Sequence, residues 1–335
     1  MAIPNAPILV TGATGFVGSA VARALAAQGG RLRLLARPAS DRRNLAGLAG
    51  EIVEGDLNDP ASLARAVAGC GALVHVAADY RIWVPDPEPM IRANVGGTIA
   101  LMRAAQAAGV SRIVYCSSVA ALGLTKDGTP ANETTPIDEA AIVGVYKKSK
   151  YRAEQAVLEM VRQHALPAVI VNPSTPVGPR DIKPTPTGKM IADAAAGRMP
   201  AYLDTGLNIV HVDDVAAGHV LALERGTVGE KYILGGEDFF LRDLLALIAS
   251  VAGRKPPRIA LRHGMLWPLA IGSEVLARAT GIEPMVTRDH LKMARKRMFF
   301  SCAKAQAELG YAPRPARQAV EDAVAWFRAN GMVPA

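Results

Sequence analysis

Short apolar runs recur along the first half of the chain, separated by alanine-rich stretches in which apolar residues fall three and four apart. Residues 8–10, 31–36, 51–53, 72–76, 113–116 and 168–172 predict β-strands. Residues 19–27, a segment opening at Asp59-Pro60-Ala61-Ser62-Leu63, and residues 94–109 predict helices. Asp59 supplies an N-cap and Pro60 the fixed φ of a first helical position; Gly29-Gly30 and Gly109 close the other two. Strand and helix in alternation predict an α/β fold, a doubly wound parallel sheet covered on both faces.

The pattern breaks at Pro173. Pro173, Pro176, Pro179, Pro184 and Pro186 fall close together, which excludes a regular helix or a central strand and marks a loop on the substrate side. Residues 212–224 then read as a helix with Asp213-Asp214 in its first turn, and from Phe240 the chain is largely helical. There is no internal repeat. At 335 residues, half of them apolar, the chain suits a larger unit (1–178 with 205–238) and a smaller, mostly helical one on the substrate side (179–204 with 239–335), and the strand–glycine–helix run from Thr11 to Gly18 makes the larger a dinucleotide-binding Rossmann domain.

The glycine pattern is the first chemical signal. Thr11-Gly12-Ala13-Thr14-Gly15-Phe16-Val17-Gly18 joins the first strand to the first helix. Gly12 permits the tight turn, Gly15 keeps a Cβ away from a pyrophosphate, Gly18 allows close helix–strand packing, and the helix N-terminus favours the phosphate charge. The second signal is Tyr146 and Lys150, four apart and therefore on one helix face. An ammonium there is expected to lower the tyrosine pKa toward working pH, making the phenol an acid/base. The third is Ser117-Ser118 at the end of a strand, where ligands of doubly wound sheets sit, so that Ser118 reaches the same substrate oxygen.

Net charge is +8, yet the bases are scattered apart from Arg42-Arg43 and Arg295-Lys296-Arg297, and no aromatic residues interleave them, so nucleic acid is not expected as a partner. Cys70, Cys116 and Cys302 have no metal-like spacing, no metal site is expected, and a reduced, cytoplasmic setting follows, with no basic and apolar leader pattern near residue 1. Residues 264–272 are too short to span a bilayer. Residues 266–271, preceded by Arg262 and His263, read as buried core or a dimer contact in an expected homodimer rather than as a lipid-docking segment.

In chain order, TGxxGxxG, the strand-end Ser118 and Tyr146-xxx-Lys150 resemble the extended short-chain dehydrogenase/reductase superfamily (NAD-dependent epimerase/dehydratases). His75-Val76-Ala77-Ala78, Asn94-Val95-Gly96-Gly97-Thr98, Asn172-Pro173, His211-Val212-Asp213-Asp214-Val215 and Leu309-Gly310-Tyr311 with Trp326-Phe327 look like further signatures. The run from Asn172 to Gly188 resembles the hopanoid-associated sugar epimerase group, close to dihydroflavonol-4-reductase-like enzymes. The resemblance implies that Ser118 and Tyr146 hold the reacting oxygen, with Tyr146 as acid/base, and that Lys150 binds the nicotinamide ribose and tunes Tyr146. It implies a cofactor lined by Gly12, Thr14, Gly15, Phe16, Val17, Ala77 and Ala78, with Asp56 and Leu57 beside the adenine and Pro173 against the nicotinamide. Asn94 supports the site, and Tyr80, Asn94, Arg180 and Lys183 are candidate substrate contacts. His75 and His211 read as satisfied structural histidines, and Asp213-Asp214 as helix capping rather than a metal pair.

Where an NAD site expects an acid at the end of the second strand, this chain has Arg37, with Ser40, Arg42 and Arg43 behind it. NADP(H) is therefore expected over NAD(H), although Asp41 offers an alternative ribose partner. That preference points to exchange of cofactor in a carbonyl reductase or alcohol dehydrogenase acting on a small molecule. The alternative is a nucleotide-sugar epimerase with tightly bound NAD, in which Arg180, Lys183 and Lys189 meet a substrate diphosphate. A third reading is a nucleotide-binding sensor or scaffold without turnover.

Overall fold

The computed structural model describes residues 6–334 apart from 82, 283 and 285. In chain order its elements are β1 (Ile8–Thr11), α1 (Phe16–Ala27), β2 (Leu32–Ala36), β3 (Glu51–Glu54), α2 (Pro60–Val67), β4 (Ala72–His75), α3 (Glu88–Ile91), α4 (Gly97–Ala107), β5 (Arg112–Cys116), α5 (Val145–His164) and β6 (Ala168–Pro173). There follow β7 (Thr175–Val177), α6 (Pro186–Ala195), β8 (Ala201–Leu203), β9 (Gly206–His211), α7 (Val212–Arg225), β10 (Lys231–Leu234), β11 (Glu237–Phe240) and α8 (Leu241–Ala252). The last are β12 (Ile259–Leu261), α9 (Trp267–Thr280), α10 (Arg288–Met293), β13 (Arg297–Met298), α11 (Ala303–Leu309) and α12 (Ala316–Ala329).

Seven strands form one parallel sheet in the order β10-β6-β5-β4-β1-β2-β3. Burial on both faces is why its central strands read as unbroken apolar runs. Side chains alternate between two cores with the two-residue period of a strand. Ile8 and Val10, Val114 and Cys116, Val169 and Val171 join a core with α1 and α7, whereas Leu9, Ile113, Tyr115, Ala168 and Ile170 join the other with α2, α4 and α5. The doubly wound sheet expected from the sequence is the one observed.

Some bounds differ from the expectation for identifiable reasons. α1 starts three residues earlier, at Phe16, because the uncapped Gly15 already opens it. Residues 94–109 belong to a longer helical stretch: α3 and α4 are joined by a π-helical turn at Arg92–Gly96, whose widened backbone places Asn94 inward. The proline cluster is not wholly irregular, since β7 contains Pro176; it pairs only with β9, the edge position that a proline tolerates. A third core, of α6, α8 and α12, lies beneath the small sheet of β7, β9, β11 and β13.

Candidate active site

The loop after β1 is shaped by sterics. Gly12 has φ +73°, and a Cβ there would stand 2.7 Å from the Ala77 nitrogen; at Gly18 it would stand 2.1 Å from the Gly12 carbonyl oxygen. The Gly15 N–H donates to the Gly12 carbonyl at 2.9 Å and closes the turn, so that amide is used internally rather than offered outward. No side chain caps α1, which leaves the first-turn N–H groups of Phe16 and Val17 without intrahelical acceptors. Their side chains pack on the first core, so each offers its backbone alone. Polarised amides with no side chain in front of them fit a dinucleotide pyrophosphate. Asn44 Nδ2 holds the Thr14 carbonyl at 3.2 Å.

A buried polar chain ties this loop to β4 and the following helix. Thr11 Oγ1 accepts from the Val76 and Ala77 N–H groups at 3.2 and 3.1 Å and lies 2.7 Å from His75 Nδ1. His75 Nε2 lies 3.0 Å from Thr98 Oγ1, which donates to the Asn94 carbonyl at 2.7 Å. Asn94 Oδ1 accepts from the Asp79 N–H at 2.7 Å, and its Nδ2 donates to the Asp79 carbonyl at 2.8 Å and to Ser149 Oγ at 2.9 Å. Asn94 is only 2% exposed and fully engaged. Its three hydrogen bonds tie the segment at Asp79, just after Ala77 and Ala78, to α5, the supporting part expected of it.

Ser118 stands at the C-terminal end of β5, where its Oγ accepts from the Ala120 N–H at 3.1 Å, leaving its hydrogen to donate elsewhere. Asn172 Nδ2 holds the Ser118 carbonyl at 3.0 Å. Tyr146 lies in the first turn of α5, behind Gly144 at φ +89°. Burial, with Cys116 nearby, pushes its phenol up to about 12, while a hydrogen bond from the Ser118 hydroxyl pulls it the other way. The expected lowering by Lys150 is therefore overturned: desolvation dominates. Lys150 is itself 2% exposed, donates from Nζ to the Cys116 carbonyl at 2.7 Å, and lies 4.9 Å from the Tyr115 ring centre. Burial lowers its own pKa.

Glu154 continues the same helix face and was not anticipated, although its spacing of four from Lys150 was a usable signal. It is fully buried, with Oε2 accepting from Asn172 Nδ2 at 2.7 Å and Oε1 3.7 Å from Lys231 Nζ. Burial raises its carboxyl.

At the end of β2, Arg37 is exposed and has no ion-pair partner among the described residues; its charge acts on Asp79. Arg42 pairs with Glu54 at 2.8 Å, and Arg43 clamps the Asp41 carboxylate, which is held down to about 2. Arg42 and Arg43 are thus each held by a carboxylate, and Asp41 is held by Arg43. Asp56 Oδ1 is oriented by the Asn58 N–H at 2.8 Å, and Leu57 packs on Gly97. Pro173 ends β6 opposite Leu234.

The expected substrate charges do not gather. Arg180, at φ +75°, donates to Asp213, and Lys189 pairs with Asp193 at 2.7 Å. Lys183 is exposed, with its charge felt by Asp41 at the Arg43 end of the cleft. Tyr80 is exposed, its phenol raised first by its partial burial and then by Asp181 and Asp79. His211, not Asp213, caps α7 by accepting from the Asp213 N–H at 3.0 Å; Asp213 and Asp214 instead hold Arg180 and Arg314. Among the described residues no group of three potential ligands gathers to hold a metal, and the three cysteines are free and buried.

The model of the NAD dependent epimerase/dehydratase family matches residues 8–235. The chain is 44% identical over 328 residues to a Synechocystis sp. protein named "Putative dihydroflavonol 4-reductase", covering 97% of this chain and 95% of that one. It is 35% identical over 328 residues to sterol demethylase protein B of Methylococcus capsulatus, covering 97% and 99%. A solved structure titled "Crystal structure of gox2253" is 64% identical with a TM-score of 0.89, covering 98% of this chain and 100% of that chain.

Proposed function

The chain belongs to the NAD dependent epimerase/dehydratase family, and from that premise we propose that it is an NADP(H)-using carbonyl reductase acting through Ser118, Tyr146 and Lys150. The reading rests on the Tyr146 phenol at the start of α5, kept protonated by burial, with the Ser118 hydroxyl acting on it in the opposite sense. A neutral phenol is a proton donor, and reduction needs one.

The Ser118 hydroxyl holds the substrate carbonyl oxygen. Tyr146 gives that oxygen its proton: its O–H bond breaks and the alcohol O–H forms as hydride reaches the carbon. A bound nicotinamide cofactor supplies the hydride. The phenolate left behind recovers its proton from water, and Lys150, on the same face of α5, is the ammonium we assign to stabilise it. Arg37, uncommitted while Arg42 and Arg43 are paired, is the group we assign to a 2′-phosphate. Residues 1–178 with 205–238 are taken to hold the cofactor, and 179–204 with 239–335 to form the substrate side.

The nucleotide-sugar epimerase alternative asks for free positive charge beside a substrate diphosphate, and the pairing of Arg180 with Asp213 and of Lys189 with Asp193 argues against it. Purified protein tests both. Consumption of added NADPH with a panel of ketones and aldehydes, lost in Tyr146→Phe, supports the reductase. Co-purified NAD with no net redox turnover supports the epimerase. Normal cofactor binding without hydride transfer to any carbonyl returns the protein to a nucleotide-binding sensor.

A further inference from the structure

Among the described residues, seven of the eleven exposed large apolar side chains lie between Ile259 and Ile282. The helix α9 explains why. At 100° per residue, buried Ala270, Glu274 and Ala277 fall on one arc, while Pro268, Leu269, Ile271, Val275 and Leu276 fall on the opposite one, with Arg278 at its edge. The outward face of this helix is therefore apolar and its inward face carries the carboxylate, the reverse of an ordinary surface helix. Val275 and Leu276 are each 62% exposed, and Met265 and Ile282 extend the patch beyond both ends at 69% and 70%. Residues 266–271 were expected as buried core or a dimer contact; Leu269 and Ile271, each 49% exposed, do not belong to the core.

Charge selects the occupant. Arg254, Lys255, Arg258, Arg262 and Arg278 are exposed along the same stretch. The described acid there, Glu274, is buried and paired with Arg288 at 2.8 Å. Two copies meeting through this face about a two-fold axis would set those bases against each other, with no exposed carboxylate among the described residues of the stretch to separate them. An anionic bilayer supplies what both features need, headgroup charge for the bases and acyl chains for the apolar arc. Among the described residues no helix is long and apolar enough to cross a membrane, and α9, with 14 residues, is too short to span one.

We propose that the outer face of α9, with Met265, Ile282 and the flanking arginines, docks the protein on an anionic membrane surface. This is independent of the reaction assigned above. The test is flotation of the full chain with phosphatidylglycerol or phosphatidylcholine vesicles. The protein floats with phosphatidylglycerol and stays behind with phosphatidylcholine, and 0.5 M salt weakens binding about fivefold or more. Leu269→Asp/Val275→Asp/Leu276→Asp lowers binding at least about tenfold, and Arg258→Glu/Arg262→Glu also lowers it, while circular dichroism and NADPH oxidation with a water-soluble carbonyl are unchanged. Failure of the parent to float with phosphatidylglycerol overturns the proposal, as does unchanged flotation of the triple variant. A dimer by light scattering that the triple substitution disperses also overturns it and assigns the face to a second copy. Vesicle binding by a protein without reductase activity would remove the reductase reading alone.

Discussion

Replacing Asn94 by alanine removes three hydrogen bonds at once: from the Asp79 N–H, to the Asp79 carbonyl and to Ser149 Oγ. Each is worth about 1 kcal/mol net, and a buried group left unpaired costs about 1–3 kcal/mol. Asp79 is partly exposed, so water replaces part of what its backbone loses, and the total is about 3 kcal/mol. For a chain of this size each kcal/mol lowers Tm by roughly 2 °C, which places Asn94→Ala about 6 °C below the parent in calorimetry. Activity falls further than stability suggests. The loop carrying Ala77 and the helix carrying Tyr146 lose their common tether, and displacement of reacting groups by 1 Å costs about a hundredfold. We expect kcat of NADPH-dependent reduction to fall 10- to 100-fold. Ser149→Ala, which removes one shared bond, should be non-additive with Asn94→Ala by about 1 kcal/mol. A Tm within about 1 °C of the parent, or strict additivity in that cycle, would refute the reasoning.

Arg37→Ala should lower NADPH affinity 10- to 100-fold by fluorescence titration, from loss of a charge-assisted contact of about 1.5–3 kcal/mol, and leave NADH affinity nearly unchanged; equal loss for both would assign Arg37 to something other than a 2′-phosphate. With Tyr146 up at about 12, reduction should be level with pH from about 6 to 9, and the reverse oxidation should rise about tenfold per unit as phenolate appears; an oxidation rate independent of pH contradicts this. Gly18→Ala, whose methyl would stand 2.1 Å from the Gly12 carbonyl, should lose both folding stability and cofactor binding, whereas Gly29→Ala meets no neighbour and strains only its left-handed backbone. Asp181 is buried and pushed up to about 6 from 3.8. The folded protein binds that proton more tightly than the unfolded chain, so its stability is undiminished below pH 4 and declines as pH rises through 6. The loss is about 3 kcal/mol at most. Urea titrations at pH 4 and pH 8 should show Asp181→Asn gaining on the parent by up to about 3 kcal/mol between the two, with the gain largely complete by pH 6.

Of the first six strands, β1, β2, β4, β5 and β6 were legible because burial turns a parallel strand into an apolar run that needs no partner to be recognised, whereas β3, a largely exposed edge strand, showed only through Ile52-Val53. The seventh, β10, was missed: it is four residues long, opens on Lys231, and takes its place by pairing with β6. The strands β7, β9, β11 and β13 were hidden for the same reason, since segments as short as Arg297–Met298 acquire meaning only from β9 beside them. Tyr146, Lys150 and Ser118 were legible as a set, yet the sign of the tyrosine shift was not. Helical spacing places Lys150 on the same face but does not disclose that its Nζ reaches the Cys116 carbonyl. Nor does spacing disclose which bases are free: Arg180 meets Asp213 from 33 positions away.

One residue called structural from the sequence has a more exact part than that word conveys. Thr11 Oγ1 already accepts two backbone N–H groups, which fill its lone pairs, so its own hydrogen must go to His75 Nδ1. Thr98 Oγ1 spends its hydrogen on the Asn94 carbonyl, so Nε2 of His75 must carry the ring proton and donate to Thr98. Every direction in the chain is thereby fixed, and a second proton on the ring would face an oxygen with nothing left to accept it. Burial and the Lys150 charge act in the same sense, holding His75 down to about 3. The imidazole is a neutral strut between the glycine loop and Asn94, and through Ser149, whose hydroxyl donates to the Tyr146 carbonyl at 2.7 Å, the strut reaches the backbone of Tyr146. A satisfied, buried network of this kind admits one arrangement, and that rigidity keeps the start of α5 in register with the glycine turn after β1.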